Sequence, residues 1–238
     1  MVDFSQQVVM ITGAAGNLGR ATALAFLRAG ARLVLVDRAP NRLPSLFPDL
    51  VASADHFLAG SVNLADEAAV RAMVDETLRR FGRIDVLLNV AGGYRGGTPL
   101  HETTLDEWDL LFTMNARTVQ VVSRAVIPAM LRQGDGKIVN VSARAALQAG
   151  PKMGPYSAAK SAVLRMTEAM SAELKGTGIR VNCVMPSTID TPENRAALPK
   201  ADPKRWVTPE AIADVFLFLA SDAARAIHGA AIPVYGLS

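Results

Sequence analysis

Residues 8–37 read VVMITGAAGNLGRATALAFLRAGARLVLVD, and this one run carries the pattern strand, glycine-rich turn, helix, strand. The apolar residues 8–12 suit a short buried strand, and Gly13, Gly16 and Gly19 follow at three-residue spacing where a helix should begin. Glycine at such a turn lets the chain reverse sharply and brings main-chain N–H groups against an anion. The first turn of the helix adds unpaired N–H donors and the positive end of its dipole. The pattern therefore predicts a cradle for a diphosphate, against the plain alternative of a glycine turn that only joins strand to helix.

The helix predicted over 17–29 buries Leu18, Ala21 and Ala25, turns Arg20 and Arg28 to water and stops at Gly30. Residues 32–37 (RLVLVD) form a second strand, apolar enough to be covered on both faces of a parallel sheet. It ends on Asp37, eighteen residues past Gly19, where a dinucleotide site uses a carboxylate to accept hydrogen bonds from the adenosine ribose. A 2′-phosphate would meet that charge, so the sequence favours NAD. Arg38, directly after the acid, keeps NADP open.

The 238-residue chain is half hydrophobic, enough for a single domain over 1–238 with a substantial core. Its formal charge of +3 and pI near 9.2 come from scattered Lys and Arg that form no nucleic-acid stripe. No basic leader opens the chain and no apolar run approaches a membrane span, so the expectation is a cytoplasmic protein with no nucleic-acid or membrane partner. The one cysteine, Cys183, lies in the run IRVNCVMP and reads as a buried, inert thiol. His56, His101 and His228 lack ligand spacing, so no metal is expected and loop or surface roles are assigned to them.

Downstream, a Pro-punctuated segment over 39–50 leads to a short strand near 56–59. Residues 67–81 place Val70, Met73, Val74, Thr77, Leu78 and Phe81 at helical spacing before Gly82. Strands follow at 84–89, 137–141, 180–185 and 232–235, with helices at 105–132, 155–175 and 208–220 and a loop region with room for a short helix at 186–207. Strands alternating with helices throughout imply an α/β fold, a doubly wound, seven-stranded parallel sheet with helices on both faces. Small residues at Val90-Ala91-Gly92-Gly93 let the chain pass close to a ligand or a helix.

Tyr156 and Lys160 lie four apart on one helix, so their side chains share a face. A cation about 5 Å from the phenol, at an effective dielectric near ~20, favours phenolate by about 3 kcal/mol, roughly two pK units. That would bring Tyr156 within reach of proton exchange with an alcohol or carbonyl oxygen. Ser142 ends the preceding strand at the carboxyl edge of the sheet, where its hydroxyl is expected to hold the substrate oxygen. Asn115 is a poor helix former in mid-helix; it finds partners if buried, or it faces solvent.

With these residues in place the chain resembles the short-chain dehydrogenase/reductase family over essentially its whole length. Thr12, Gly13, Gly16, Asn17, Leu18 and Gly19 are similar to its nucleotide loop, Asn89, Ala91 and Gly92 to its N-N-A-G segment, and Asn115, Ser142, Tyr156 and Lys160 to its catalytic four. The resemblance implies a Rossmann fold in which Tyr exchanges the proton and Ser positions the substrate. It also implies that Lys holds the nicotinamide ribose, that Asn anchors a water, and that Pro186, Ile189 and Thr191 surround the carboxamide. Three departures stand out: Asn17 at a glycine position, where tolerance of left-handed angles would preserve the cradle; Asn63 for an adenine-facing Asp; and Ser187 for a glycine.

A narrower likeness, in the segments around Gly92-Gly93, Arg144 to Leu147 and Ile189 to Arg195, is to dihydropteridine reductases, NADH-using relatives that reduce a quinonoid pterin. Ser142 departs from that pattern and favours carbonyl chemistry. Tyr94, Arg95, Arg144 and Met153 are expected near the substrate mouth. Ala158, Ala159, Ala162, Val163 and Met166 exceed one buried stripe, and the resemblance implies a homodimer or homotetramer through such helices. The leading expectation is an NAD(H)-dependent oxidoreductase acting on a carbonyl or secondary alcohol, with pterin reduction and a catalytically silent cofactor-sensing protein as alternatives.

Overall fold

The computed structural model describes residues 2–237. Strands β1 (Val8–Thr12), β2 (Arg32–Val36), β3 (Phe57–Ala59), β4 (Val86–Asn89), β5 (Gly136–Val141), β6 (Ile179–Pro186) and β7 (Ala231–Val234) form one sheet in the order β3-β2-β1-β4-β5-β6-β7. Every neighbouring pair is parallel. The strand order reverses between β1 and β4, and the crevice at their carboxyl ends is where doubly wound sheets take ligands.

Two apolar layers sandwich the sheet. On one face Phe26 of α1 (Asn17–Arg28) and Phe216 and Leu219 of α8 (Pro209–Ala220) pack over Val9, Ile11, Leu33 and Leu35. On the other, Val70, Met73 and Val74 of α3 (Glu67–Phe81) and Val122, Val126 and Met130 of α5 (Thr118–Gln133) cover Val8, Met10, Val34 and Leu87. Each such side chain taken fully from water stabilises the fold by about 1.5–3 kcal/mol. Burial on both faces is why β1 and β2 read as continuous apolar runs instead of alternating ones.

The helix ends are closed by capping groups, with Gly82 where the sequence predicts it. The Asp66 carboxylate accepts from the N–H groups of Ala68 and Ala69, and Gly82 takes a left-handed φ of 73° after α3. Thr104, Thr191 and Thr208 cap α4 (Leu105–Phe112), α7 (Pro192–Ala197) and α8 through their hydroxyl oxygens. Arg180 donates to the carbonyls of Leu219, Ser221 and Ala224, closing the far end of α8.

One expectation is corrected here and two are filled in. The helix predicted over 105–132 is two helices, α4 and α5, joined by a π-helical turn at Thr113–Arg117, with Pro128 inside α5. The segment 39–50 holds α2 (Arg42–Leu46) and a 3-10 turn at Pro48–Leu50. His56 and His228 lie in loops as expected and also tie those loops to the sheet: their Nδ1 atoms accept from the N–H groups of Leu33 and Val181, and His228 Nε2 donates to Ser171 O. Cys183 is fully buried, which pushes its thiol up to about 11.

Candidate active site

The turn between β1 and α1 is shaped by two glycines and left open by a third. Gly13 takes φ 64°, and a Cβ on it would lie 2.8 Å from Ala91 Cα. A Cβ on Gly19 would collide with Gly13 O, so the first turn of α1 can sit on the loop only without one. Gly16 differs: a Cβ there would meet only Gly13 O at 3.4 Å, an ordinary contact, so nothing in the protein's own packing demands glycine. Its bare backbone keeps clear the ground before the N-terminus of α1, which no side chain caps. That opening suits the diphosphate of a dinucleotide.

Asn17 is the first residue of α1 in helical conformation, so the left-handed tolerance expected of it is not used. Its amide donates 2.7 Å to Glu193 on α7, a link between the glycine turn and the loop after β6. The Leu18 side chain lies in the core, leaving only its main chain to face the turn. Thr12 is buried too; its Oγ1 accepts from Val90 N and Ala91 N and ties β1 to the start of the next loop.

Asp37 stands at the tip of β2 with one carboxylate oxygen accepting from Ala15 N and the other from Ala39 N. Each oxygen keeps a lone pair for a ribose hydroxyl. Arg38 is exposed beside it, and Arg42 donates 2.8 Å to Ala15 O, a cation at this corner that the sequence reading did not single out. Asn63 is exposed and its Oδ1 accepts from Ala65 N as a turn residue. Pro186 ends β6, Ile189 pairs with Val207, Thr191 caps α7, and Ser187 Oγ donates to Tyr235 O.

Asn89 does not reach the crevice. It is 2 % exposed, and its amide donates to Ser123 Oγ and Asn140 Oδ1 while Asn140 in turn donates to Thr167. This buried relay joins α5, β4, β5 and α6 (Gly154–Glu173) beneath the site. Its members are spread from Asn89 to Thr167 in sequence, and no local spacing announces it.

Above the relay lie the groups with chemistry. Asn115 is fully buried in the π-helical turn; its Oδ1 accepts from Gly93 N, and its Nδ2 donates to Gly93 O and Leu111 O. The solvent-facing alternative for Asn115 is therefore overturned: its amide clamps the loop after β4. Gly92 sits against this pair, since a Cβ there would be 2.7 Å from Asn115 Oδ1 and 3.2 Å from Lys160 Nζ. Lys160 is buried and donates 2.9 Å to Val141 O. Its ammonium lies 6.0 Å from the centre of the Tyr156 ring.

Two electrostatic expectations change. Burial pushes the Tyr156 phenol up to about 12, with Tyr94 adding to the rise, the opposite direction from the one expected of a neighbouring ammonium. Burial also lowers the Lys160 ammonium to about 8, which weakens it as a fixed charge near neutral pH. Ser142 is corrected as well: it is 1 % exposed, and its hydroxyl donates 2.8 Å to Lys160 O instead of facing the cleft. In extended backbone the next side chain points the other way, and the next residue is Ala143.

The substrate mouth is assembled from distant loops. The Tyr94 ring meets Tyr156 edge to face at 5.0 Å and 89°. Arg95 is exposed near the first turn of α4, and Met153 packs beside Gly150 just before α6. Arg144 lies 5.2 Å over the ring of Tyr235, a tail residue that the sequence reading did not place at the site.

Residues 7–202 match the family model described as short chain dehydrogenase. The chain is 34% identical over 241 residues to the 3-oxoacyl-[acyl-carrier-protein] reductase of Thermotoga maritima, covering 97% of this chain and 96% of that one. It is 36% identical over 249 residues to a meso-2,3-butanediol dehydrogenase of Serratia marcescens, covering 98% and 94%. The solved structure of gox2181 superposes with a TM-score of 0.91 at 27% identity, covering 98% and 96%.

Proposed function

The chain belongs to the short-chain dehydrogenase/reductase family and is an NAD(P)-dependent oxidoreductase of carbonyl and alcohol groups; on that premise we propose that it uses NAD(H), with Tyr156 as acid–base. One observation carries this reading: Tyr156 and the buried Lys160 share a face of α6, against a loop whose Ala91 abuts the glycine turn. The cofactor, when bound, supplies a nicotinamide carbon that gives or takes hydride. In the reducing direction Tyr156 donates its hydroxyl proton to the substrate oxygen; in the oxidising direction the phenolate takes it back. Lys160 orients and polarises that phenol, and Asn115 fixes the loop through Gly92 and Gly93. Gly13, Gly16 and Gly19 admit the diphosphate.

Asp37 favours NAD, because its carboxylate stands where a 2′-phosphate would bring two negative charges together. The test is the ratio of kcat/KM for NADH over NADPH, with diones as substrates. We expect NADH to win by about tenfold or more, an advantage Asp37→Ala erases; a preference for NADPH in the unaltered protein overturns this part. The reading also holds the protein to be cytoplasmic, without nucleic-acid or membrane partners, and a homodimer or homotetramer, the assembly being supported by Ala158, Ala162 and Met166 of α6, which stay only half-buried. Light scattering that finds only monomer rejects the assembly.

A quinonoid pterin is the second reading, because the Ser142 hydroxyl that spoke against it is turned into Lys160 O and no longer does so. NADH consumption with quinonoid dihydropterin is the check, and no consumption removes the idea.

A further inference from the structure

An open surface depression of about 630 Å³ lies beside the reaction centre, between the 94–97 loop and the first turns of α4. Tyr94, Arg95, Thr104, Asp106, Glu107 and Leu110 line it, and Tyr156 does not. Tyr94 is the residue common to both spaces: its ring rests on Tyr156, yet the residue is 56% exposed. Tyr94 is also held from behind. A Cβ on Gly96 would collide with the Tyr94 hydroxyl and lie 2.9 Å from Lys152 O, and Gly97 N donates 3.1 Å to that same carbonyl. Lys152 itself takes a left-handed φ of 61°, a conformation that a lysine adopts only where its surroundings impose it.

We propose that Tyr94 is a specificity-determining partition: it closes the reaction centre off from this depression, so that the site takes compact, uncharged carbonyl or alcohol substrates. The charge of the lining agrees, since Asp106 and Glu107 share it with Arg95 and an anionic substituent would meet two carboxylates for one cation. The same residue adds to the rise of the phenol's pKa, and the titratable groups around that phenol are Lys160 on its own helix and Tyr94 from the loop after β4. This inference rests on the enzymatic reading above, so the test has one arm that needs turnover and one that does not.

In the first arm, NADH oxidation is followed with diacetyl and with its bulkier phenyl analogue, acetylbenzoyl. The unaltered protein and Tyr94→Phe are expected to prefer diacetyl. Tyr94→Ala should shift the kcat/KM ratio toward acetylbenzoyl by about tenfold or more, the scale of a pocket gained or lost. Gly96→Ala, which displaces the ring without deleting it, should shift the ratio the same way. A ratio unchanged in both variants overturns the proposal. In the second arm, tyrosinate formation is titrated by ultraviolet absorbance in Tyr94→Ala with and without Tyr156→Phe. The ionisation that Tyr156→Phe removes should fall from about 12 toward the ordinary ~10; no movement rejects the partition. If the unaltered protein reduces neither dione, the enzymatic reading fails for that class, and the titration alone decides the role of Tyr94.

Discussion

The glycine turn after β1 and the stretch from Val141 to Lys160 lie two strands apart on the same edge of the sheet, and they are made differently. The first is a shape in the main chain, set by where side chains are absent. The second is a set of side chains whose directions depend on residues far away in sequence: Ser142 is spent on Lys160 O, Lys160 on Val141 O, and Tyr156 is covered by Tyr94. A backbone site is specified by spacing. A side-chain site is specified by identity, and its orientation comes only from tertiary packing.

The contrast is sharpest among the glycines. Gly19→Ala should abolish NADH binding and lower stability by about 1–3 kcal/mol or more, because its Cβ drives into main-chain atoms that cannot yield. Gly16→Ala should leave the melting temperature unchanged while weakening NADH by about tenfold, since only the ligand would meet that methyl. Calorimetry with fluorescence titration of NADH separates the two effects, and equal destabilisation by both would erase the distinction.

On the side-chain half, function and stability separate according to what each side chain touches. Lys160→Met should cut kcat by about a hundredfold or more. It should leave the fold as stable or more so, because a buried cation is replaced by an apolar chain of similar length. Ser142→Ala should cost about 1 kcal/mol of stability, the scale of one hydrogen bond, and less than about threefold in kcat. A hundredfold loss, the usual scale for deleting a donor to the reacting oxygen, would mean that the hydroxyl turns to the substrate after all.

The smallest effect belongs to the sheet itself. His56 is half-buried and its Nδ1 accepts from Leu33 N, and burial lowers its pKa from 6.5. The neutral ring's stabilisation is present above that value. As pH falls below 6.5 the unfolded chain takes up a proton that the folded chain resists, so stability drops toward the folded pKa. His56→Phe should flatten the melting temperature between about pH 5 and 7 relative to the unaltered protein. An identical pH dependence in the two would remove the assignment.

Much of this molecule was legible in residue order alone. The run 8–37, the helix 67–81 and the caps at Thr208 and Gly82 each contain their own instructions, since periodicity and capping act within a few residues. The identities of Tyr156, Lys160 and Asn115 were legible as well. What stayed hidden came from contacts across the chain: the Asn89–Asn140 relay, the Asn17 link to Glu193 across 176 residues, and Tyr235 beside Arg144. The π-helical turn at Asn115 also escaped, because one inserted residue leaves the apolar pattern nearly intact. The direction of the Tyr156 shift escaped for a related reason: it is set first by burial, which is invisible in sequence.

Everything rests on Tyr156 exchanging a proton beside a nicotinamide held by the glycine turn. The direct test is Tyr156→Phe, assayed for dione reduction and for NADH binding by fluorescence. The account predicts kcat lower by about a thousandfold or more, with the NADH dissociation constant changed less than about threefold. Turnover kept within tenfold of the unaltered protein would contradict it.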